Sequence, residues 1–254
     1  MSKNNPLLSF FRKPKLKLLL PSRGKWYSAN ALDSDVVDGS VNVYAMTAPD
    51  EARFKTNELL LATSSTFDLI KSCIPSIKNP TAMPGIDLDA ALLAIRCASY
   101  GDLVEVDVKV PNTELTRKIH FNLRKYLENT PDISKLWDSE LNLYNEDNEK
   151  LSIIIKPVSA EAVFELSKHL IDQQEKFNEF AKISDNSEKI SLLDKQLKEF
   201  SSLTVQTLAE SIAEINAPDG TVISRIGDIK HFLTNIDVQY IKEIQKHTEN
   251  QKDL

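Results

Sequence analysis

Four histidines, two cysteines and scattered carboxylates are the residues of this 254-residue chain with chemistry within reach. His120, His169, His231 and His247 lie 49, 62 and 16 residues apart, and none has a second ligand type beside it at metal spacing. His169 stands between Glu165 and Asp172 at helical offsets. That is half of a metal site, and the same offsets suit an exposed helix face with paired side chains. Asp33, Asp35 and Asp38 before Gly39 resemble a calcium loop, but the glutamate at position twelve and the flanking helices are missing. Glu146, Asp147 and Glu149 fall in a turn-like segment where water solvates them. The six glycines build neither a dinucleotide fingerprint nor a phosphate loop, and no serine occupies a nucleophile elbow. Cys73 and Cys97 sit on apolar helix faces and read as buried free thiols in a reducing compartment. No cofactor and no metal is expected, and the chain reads as a non-enzyme.

The elements that would position these residues give an α+β chain. Lysine-interrupted leucines lead into Leu18-Leu19-Leu20-Pro21-Ser22-Arg23-Gly24-Lys25-Trp26-Tyr27. Here Pro21 ends a strand and Gly24 supplies the positive φ of a tight turn. Val41–Met46 reads as the next strand. Thr47 then caps a helix with Pro49, Asp50 and Glu51 in its first turn. Ser64 or Ser65 caps a second helix carrying Phe67, Ile70, Cys73 and Ile74, and Asp87 opens a third that Gly101 ends. Val104, Val106, Val108 and Val110 alternate with charged residues, the period-two pattern of a half-buried strand. Leu115–Leu123 is its partner. Glu140–Tyr144 and Leu151–Ile155 flank an acidic turn, and the two hairpins together predict a four-stranded sheet between residues 102 and 157. Val163, Leu166, Leu170, Phe177 and Phe180 trace one helical stripe. Ile190, Leu193, Leu197, Phe200, Leu208, Ile212 and Ile215 trace a second, so a long αα-hairpin follows.

The expected organisation has three parts. Residues 1–14 form a flexible basic arm with Phe10 and Phe11 as anchors. Residues 15–157 form an α+β core with strands near 16–20, 41–46, 103–110, 115–123, 140–144 and 151–156 and helices near 49–62, 65–75 and 87–100. Residues 158–254 form a helical region with an αα-hairpin over 160–216 and C-terminal helices over 224–250.

Charge is unevenly placed. The first 25 residues hold seven basic residues and no acid, so the remainder carries 24 basic against 37 acidic residues, net −13, against −6 overall. An acidic body argues against nucleic-acid binding there. The basic start resembles a transit peptide in charge, but its prolines and asparagines oppose the amphipathic helix such peptides need. No apolar run reaches the roughly 18 residues of a membrane span.

The order strand, Pro-Ser-Arg-Gly-Lys turn, Trp26-Tyr27, loop, strand, Met46-Thr47 and acidic helix start resembles the opening of the T-even (T4-like) bacteriophage baseplate hub assembly proteins. The resemblance continues through Asn57–Leu61, Phe67–Ile74 and Asp87–Gly101 and covers about residues 16–125, with a weaker echo to the C-terminus. It implies a role in building the central hub of a contractile-tail baseplate, as assembly chaperone or minor hub subunit. Its partners would be hub and spike proteins and other hub assembly factors, in the host cytoplasm or in the virion. Many members of that family carry a Cys-x-x-Cys pair at the hairpin around residue 112. No cysteine stands there in this chain, which excludes zinc at that turn.

Arg23, Lys25, Trp26 and Tyr27 are one candidate partner-binding patch, since arginine and aromatics dominate interface hot spots. Packing of Trp26 and Tyr27 on the strand Val41–Met46 is the other reading. Phe177 and Phe180, on the helical hairpin, are a second candidate contact. The rival function is a nucleic-acid-binding or regulatory module that uses the basic arm.

Overall fold

The computed structural model describes residues 6–54, 59–109, 115–180 and 186–251. The chain is an α+β protein that divides into two compact units, Met1–Ser134 and Lys135–Leu254.

In the first unit a short 3-10 turn, Pro6–Phe10, leads into β1 (Pro14–Leu19), which pairs antiparallel with β2 (Ser40–Tyr44). Leu18 lies opposite Val41 and Leu16 opposite Val43, so one face of the ribbon is apolar. That face is covered. Helix α1 (Ala48–Phe54) is followed by α2 (Leu59–Cys73) and α3 (Gly85–Tyr100); α3 packs on both strands and α2 on β2. Leu18, Leu20, Val41 and Val43 are buried with Ile70, Cys73, Ile74, Ala91, Ala94 and Ile95. The run of alanines in α3 lets its backbone approach the strands closely. Both cysteines are buried free thiols. The second ribbon of this unit, β3 (Leu103–Lys109) with β4 (Thr116–Asn122), is a separate two-stranded sheet, followed by α4 (Leu123–Glu128). A single turn, α5 (Ile133–Leu136), follows.

The second unit is built on a four-stranded antiparallel sheet in the order β5-β6-β7-β8: Glu140–Tyr144, Lys150–Ile155, Ile212–Asn216 and Val222–Ile223. Helices α6 (Ala160–Phe180) and α7 (Asn186–Ser211) stand between β6 and β7 in sequence, although those strands are neighbours in the sheet. Ser159 starts α6 by accepting the Ala162 amide at 3.2 Å. Two further helices, α8 (Ile226–Asn235) and α9 (Val238–Asn250), close the unit. Leu143, Ile153, Ile155, Leu208, Ile212, Ile215, Ile229, Leu233 and Ile244 form its core.

Several expectations are corrected. The two hairpins between residues 102 and 157 do not share a sheet: β5–β6 instead gains β7 and β8 from the C-terminal region. The division between units therefore falls at 134/135 and not at 157/158. The expected hairpin over 160–216 ends at Ser211, because Ile212 and Ile215 are strand residues opposite Ile155 and Ile153. Ser64 and Ser65 do not start a helix but lie inside α2, where such hydroxyls find acceptors one turn back. Within the arm expected over 1–14, Phe10 is 85% exposed and Arg12 makes the anchoring contacts. The junction 55–58, the hairpin tip 110–114 (with Val110) and the joint 181–185 lie outside the described residues.

Candidate functional site: a buried carboxylate knot and the surfaces around it

The Pro-Ser-Arg-Gly-Lys turn is held by a residue 65 positions away. Asp87, in the first turn of α3, is fully buried and accepts three bonds. The Ser22 amide donates to Oδ1 at 2.8 Å, the Ser22 hydroxyl to Oδ2 at 2.5 Å and the Tyr27 hydroxyl to Oδ2 at 3.0 Å. The amide of Gly24 donates to Ser22 Oγ at 3.1 Å, which closes the turn on itself. Burial pushes the Asp87 carboxyl up to about 6, against the bonds from Ser22 and Tyr27 that favour its ionised form. Burial and then the Asp87 charge push the Tyr27 hydroxyl above its ordinary value.

Backbone shape completes the knot. Gly24 has φ +80°, and Arg23 and Trp26 also take positive φ, at 54° and 64°. Gly39, at φ +66°, lies against the turn: a Cβ there would stand 2.6 Å from the Arg23 backbone, so only glycine fits. Sequence reading marked Gly24 for this turn but placed Gly39 only in a calcium-like loop, although the Asp38-Gly39 pair just before β2 is a turn signal.

The four residues of the proposed patch are brought together, but they are engaged unequally. Arg23 Nε lies 3.3 Å from Asp132 Oδ2, and its Nη1 is buried without a hydrogen-bond partner. Tyr27 is turned inward onto Asp87. Lys25 is exposed, donates to the Ser134 carbonyl at 2.8 Å and lies 6.0 Å from the centre of the Trp26 ring. Trp26 itself is half-buried. The side chains of Phe177 and Phe180, near the end of α6, lie outside the described residues.

Arg12 makes a second cluster that sequence reading did not single out. Its Nη2 donates to the Ser72 carbonyl at 2.7 Å and its Nη1 to the Ala45 carbonyl at 3.3 Å, while the guanidinium stands 5.7 Å from the Tyr44 ring centre. Asp50 lies 3.6 Å away and accepts the Thr47 amide and hydroxyl and the Ser72 hydroxyl. Burial acts to raise the Asp50 pKa, and the bonds from Thr47 and Ser72 with the charge of Arg12 outweigh it, leaving it below the ordinary value.

Elsewhere the chemistry-bearing residues stay apart. Asp33 pairs with Lys78 at 2.8 Å, in a loop sewn to residues 76–78 by the Asp33 and Lys78 amides. His247 bonds the Asp138 carbonyl at 2.9 Å, and His169 is exposed on α6. Among the described residues no group of three His, Cys, Asp or Glu is placed to hold a metal ion. Among them, no helix is long and apolar enough to cross a membrane. A groove of about 310 Å³ lies on the second unit between the β5–β6 turn and α8, lined by Leu143, Leu151, Phe232, Ile236 and Tyr240.

The β3–β4 ribbon is the largest surprise in exposure. Alternation there predicts burial on one side, yet Val106, Val108, Ile119 and Phe121 are 44%, 41%, 49% and 45% exposed. No curated protein and no solved structure matches the chain. The family described as T4 bacteriophage base plate protein matches it over residues 55–254, through most of the fold described above, and the chain belongs to that family.

Proposed function

We propose that this baseplate protein acts in building the central hub of a contractile-tail baseplate, as an assembly chaperone or minor hub subunit. It works by docking and makes or breaks no covalent bond. Hub and spike proteins, with other hub assembly factors, are the partners this reading names. The host cytoplasm during assembly, and the tail itself, are where it places the chain. Family membership supports the baseplate setting. The Leu20–Tyr27 turn and the Met46-Thr47 helix start, which precede the matched residues, support the hub only through the resemblance described above.

The observation that carries the docking role is the α6–α7 hairpin. Only its root belongs to the unit's core, through Leu208 and Ala209; β6 and β7 are adjacent, and the Lys156 amide already reaches the Ser211 carbonyl at 2.8 Å. A two-residue turn joins such strands elsewhere in proteins. The outer turns of the two helices, beyond those core residues, are explained by a contact outside the unit. Its physical task is to shield or orient apolar surfaces of hub components until assembly buries them.

The test follows from the same geometry. Replacing residues 165–203 by a short glycine-containing turn keeps β6 and β7 paired, leaves Ala160, Leu208 and Ala209 in the core and removes the outer part of the hairpin. Loss of co-purification with hub proteins, with an unchanged melting transition of the remainder, is the expected result. Retained binding rejects the hairpin as the contact. The nucleic-acid reading has less support, since Arg12, one of the arm's cations, is engaged with Ser72, Ala45 and Asp50.

A further inference from the structure

The β3–β4 ribbon presents two unlike faces. Residues directly opposite each other share a face, so Val104 with Phe121, Val106 with Ile119 and Val108 with Arg117 form one side. Glu105 with His120, Asp107 with Lys118 and Lys109 with Thr116 form the other, where Lys118 also pairs with Glu105. The charged side is balanced within itself. On the apolar side the described residues include one charged group, Arg117.

The base of the ribbon is fixed. The Leu123 amide donates to the Asp102 carbonyl at 2.8 Å, Arg124 Nε lies 2.9 Å from Asp102, and Asn122 caps α4 through the Lys125 amide. Above that base, where the Tyr126 ring stands 5.8 Å from that of Phe121, no element of the described residues covers Val106, Val108 and Ile119, which stay 44%, 41% and 49% exposed. A lone two-stranded ribbon is marginal in water and needs cover on its apolar face.

We propose that this face seats an amphipathic helix of another baseplate protein, with a carboxylate on that helix meeting Arg117. The inference rests on the baseplate docking role proposed above and adds its surface. Three features of the structure select the occupant. First, dimensions fit: two strands with their side chains are about 10 Å across and seven residues long, about 23 Å. A helix is about 10 Å wide and covers that length in about four turns. Second, the chain solves the same problem this way once already, with α3 laid on β1–β2. Third, charge excludes the simplest alternative. Two copies of the ribbon stacked by a twofold axis would set Arg117 against its own copy or against the Val104–Phe121 end, with no carboxylate among the described residues of either face to meet it. A helix offers an acid at the boundary of its apolar stripe.

The experiment co-expresses the full chain with each of the other baseplate proteins of its phage in turn. Amide hydrogen exchange is then compared between purified complex and free chain. The expected result is exchange over 103–109 and 116–122 slowed about tenfold or more in the complex. Val106→Asp and Arg117→Glu weaken binding about tenfold or more, while Lys118→Ala on the charged face leaves it unchanged. All three retain the circular dichroism of the parent; should Val106→Asp fail to fold, Arg117→Glu alone decides. A complex that forms with the ribbon unprotected overturns this inference and leaves the hub reading standing. No co-purification with any baseplate protein overturns both. Slow ribbon exchange already present in the free chain, or self-association abolished by Val106→Asp, assigns the face to this chain itself and equally overturns the proposal.

Discussion

The first unit contains two antiparallel ribbons of similar length, β1–β2 and β3–β4, each with one apolar face. On β1–β2, Leu18, Val41 and Val43 are buried to within 3% of full coverage because α3 and α2 lie on them. On β3–β4, valines and an isoleucine in the same alternation stay close to half exposed. The difference teaches that alternation reports a two-sided strand and says nothing about what covers the apolar side. Cover comes from another element, and that element has to be fastened. For β1–β2 the fastening is Asp87, which ties the first turn of α3 to the turn that follows β1.

That contrast can be broken experimentally, beginning with the largest effect. Val43→Asp places a charge under α3 and costs more than about 4 kcal/mol, enough to unfold the first unit in a urea titration. The equivalent Val106→Asp on β3–β4 leaves the unfolding midpoint of the free chain almost unmoved. Next, Asp87→Ala leaves the Ser22 amide and hydroxyl and the Tyr27 hydroxyl buried without their acceptor. The expected loss is about 3 kcal/mol, together with faster amide exchange in β1 and α3 and no change in β3–β4.

A pH titration sharpens the same point. The Asp87 carboxyl titrates at about 6 in the folded chain, above its ordinary 3.8. As pH rises, the unfolded chain releases this proton first, so stability from this group is greatest below about pH 4. It then falls until about pH 6, by about 3 kcal/mol at most, and is flat above. Asp87→Asn removes this slope, which chemical denaturation at a series of pH values detects. Smallest of all, Ile119→Ala changes the stability of the free chain by less than about 0.5 kcal/mol, against about 3 for Leu20→Ala beneath α3.

What could be read from the sequence was local. Pro21, Gly24 and Thr47 act on their own neighbours, and the turn, its positive φ and the helix start follow from them. The hairpin β5–β6 was legible for the same reason. Long-range partners were not. Asp87 reads as an ordinary acid in a helix first turn, and nothing nearby shows that it serves Ser22. Ile212 and Ile215 stand at an interval that continues the stripe of α7. They are strand because β6 offers hydrogen bonds on one side and β8 on the other, with Ile155 more than fifty residues from Ile212 and Ile223 only eight from Ile215. Among the candidate contacts, the aromatic pair of the turn was found by motif, but its division into an inward tyrosine and a half-buried tryptophan depends on α3.

The two roots of the α6–α7 excursion meet where the Lys156 amide bonds the Ser211 carbonyl, beside the Ile155–Ile212 pair of the ladder. The sheet below is therefore indifferent to how far the excursion travels before it returns. Equal numbers of helical turns can be gained or lost on both limbs while β6 and β7 keep their alignment. The length of the excursion is thus free to change on its own without redesign of the core.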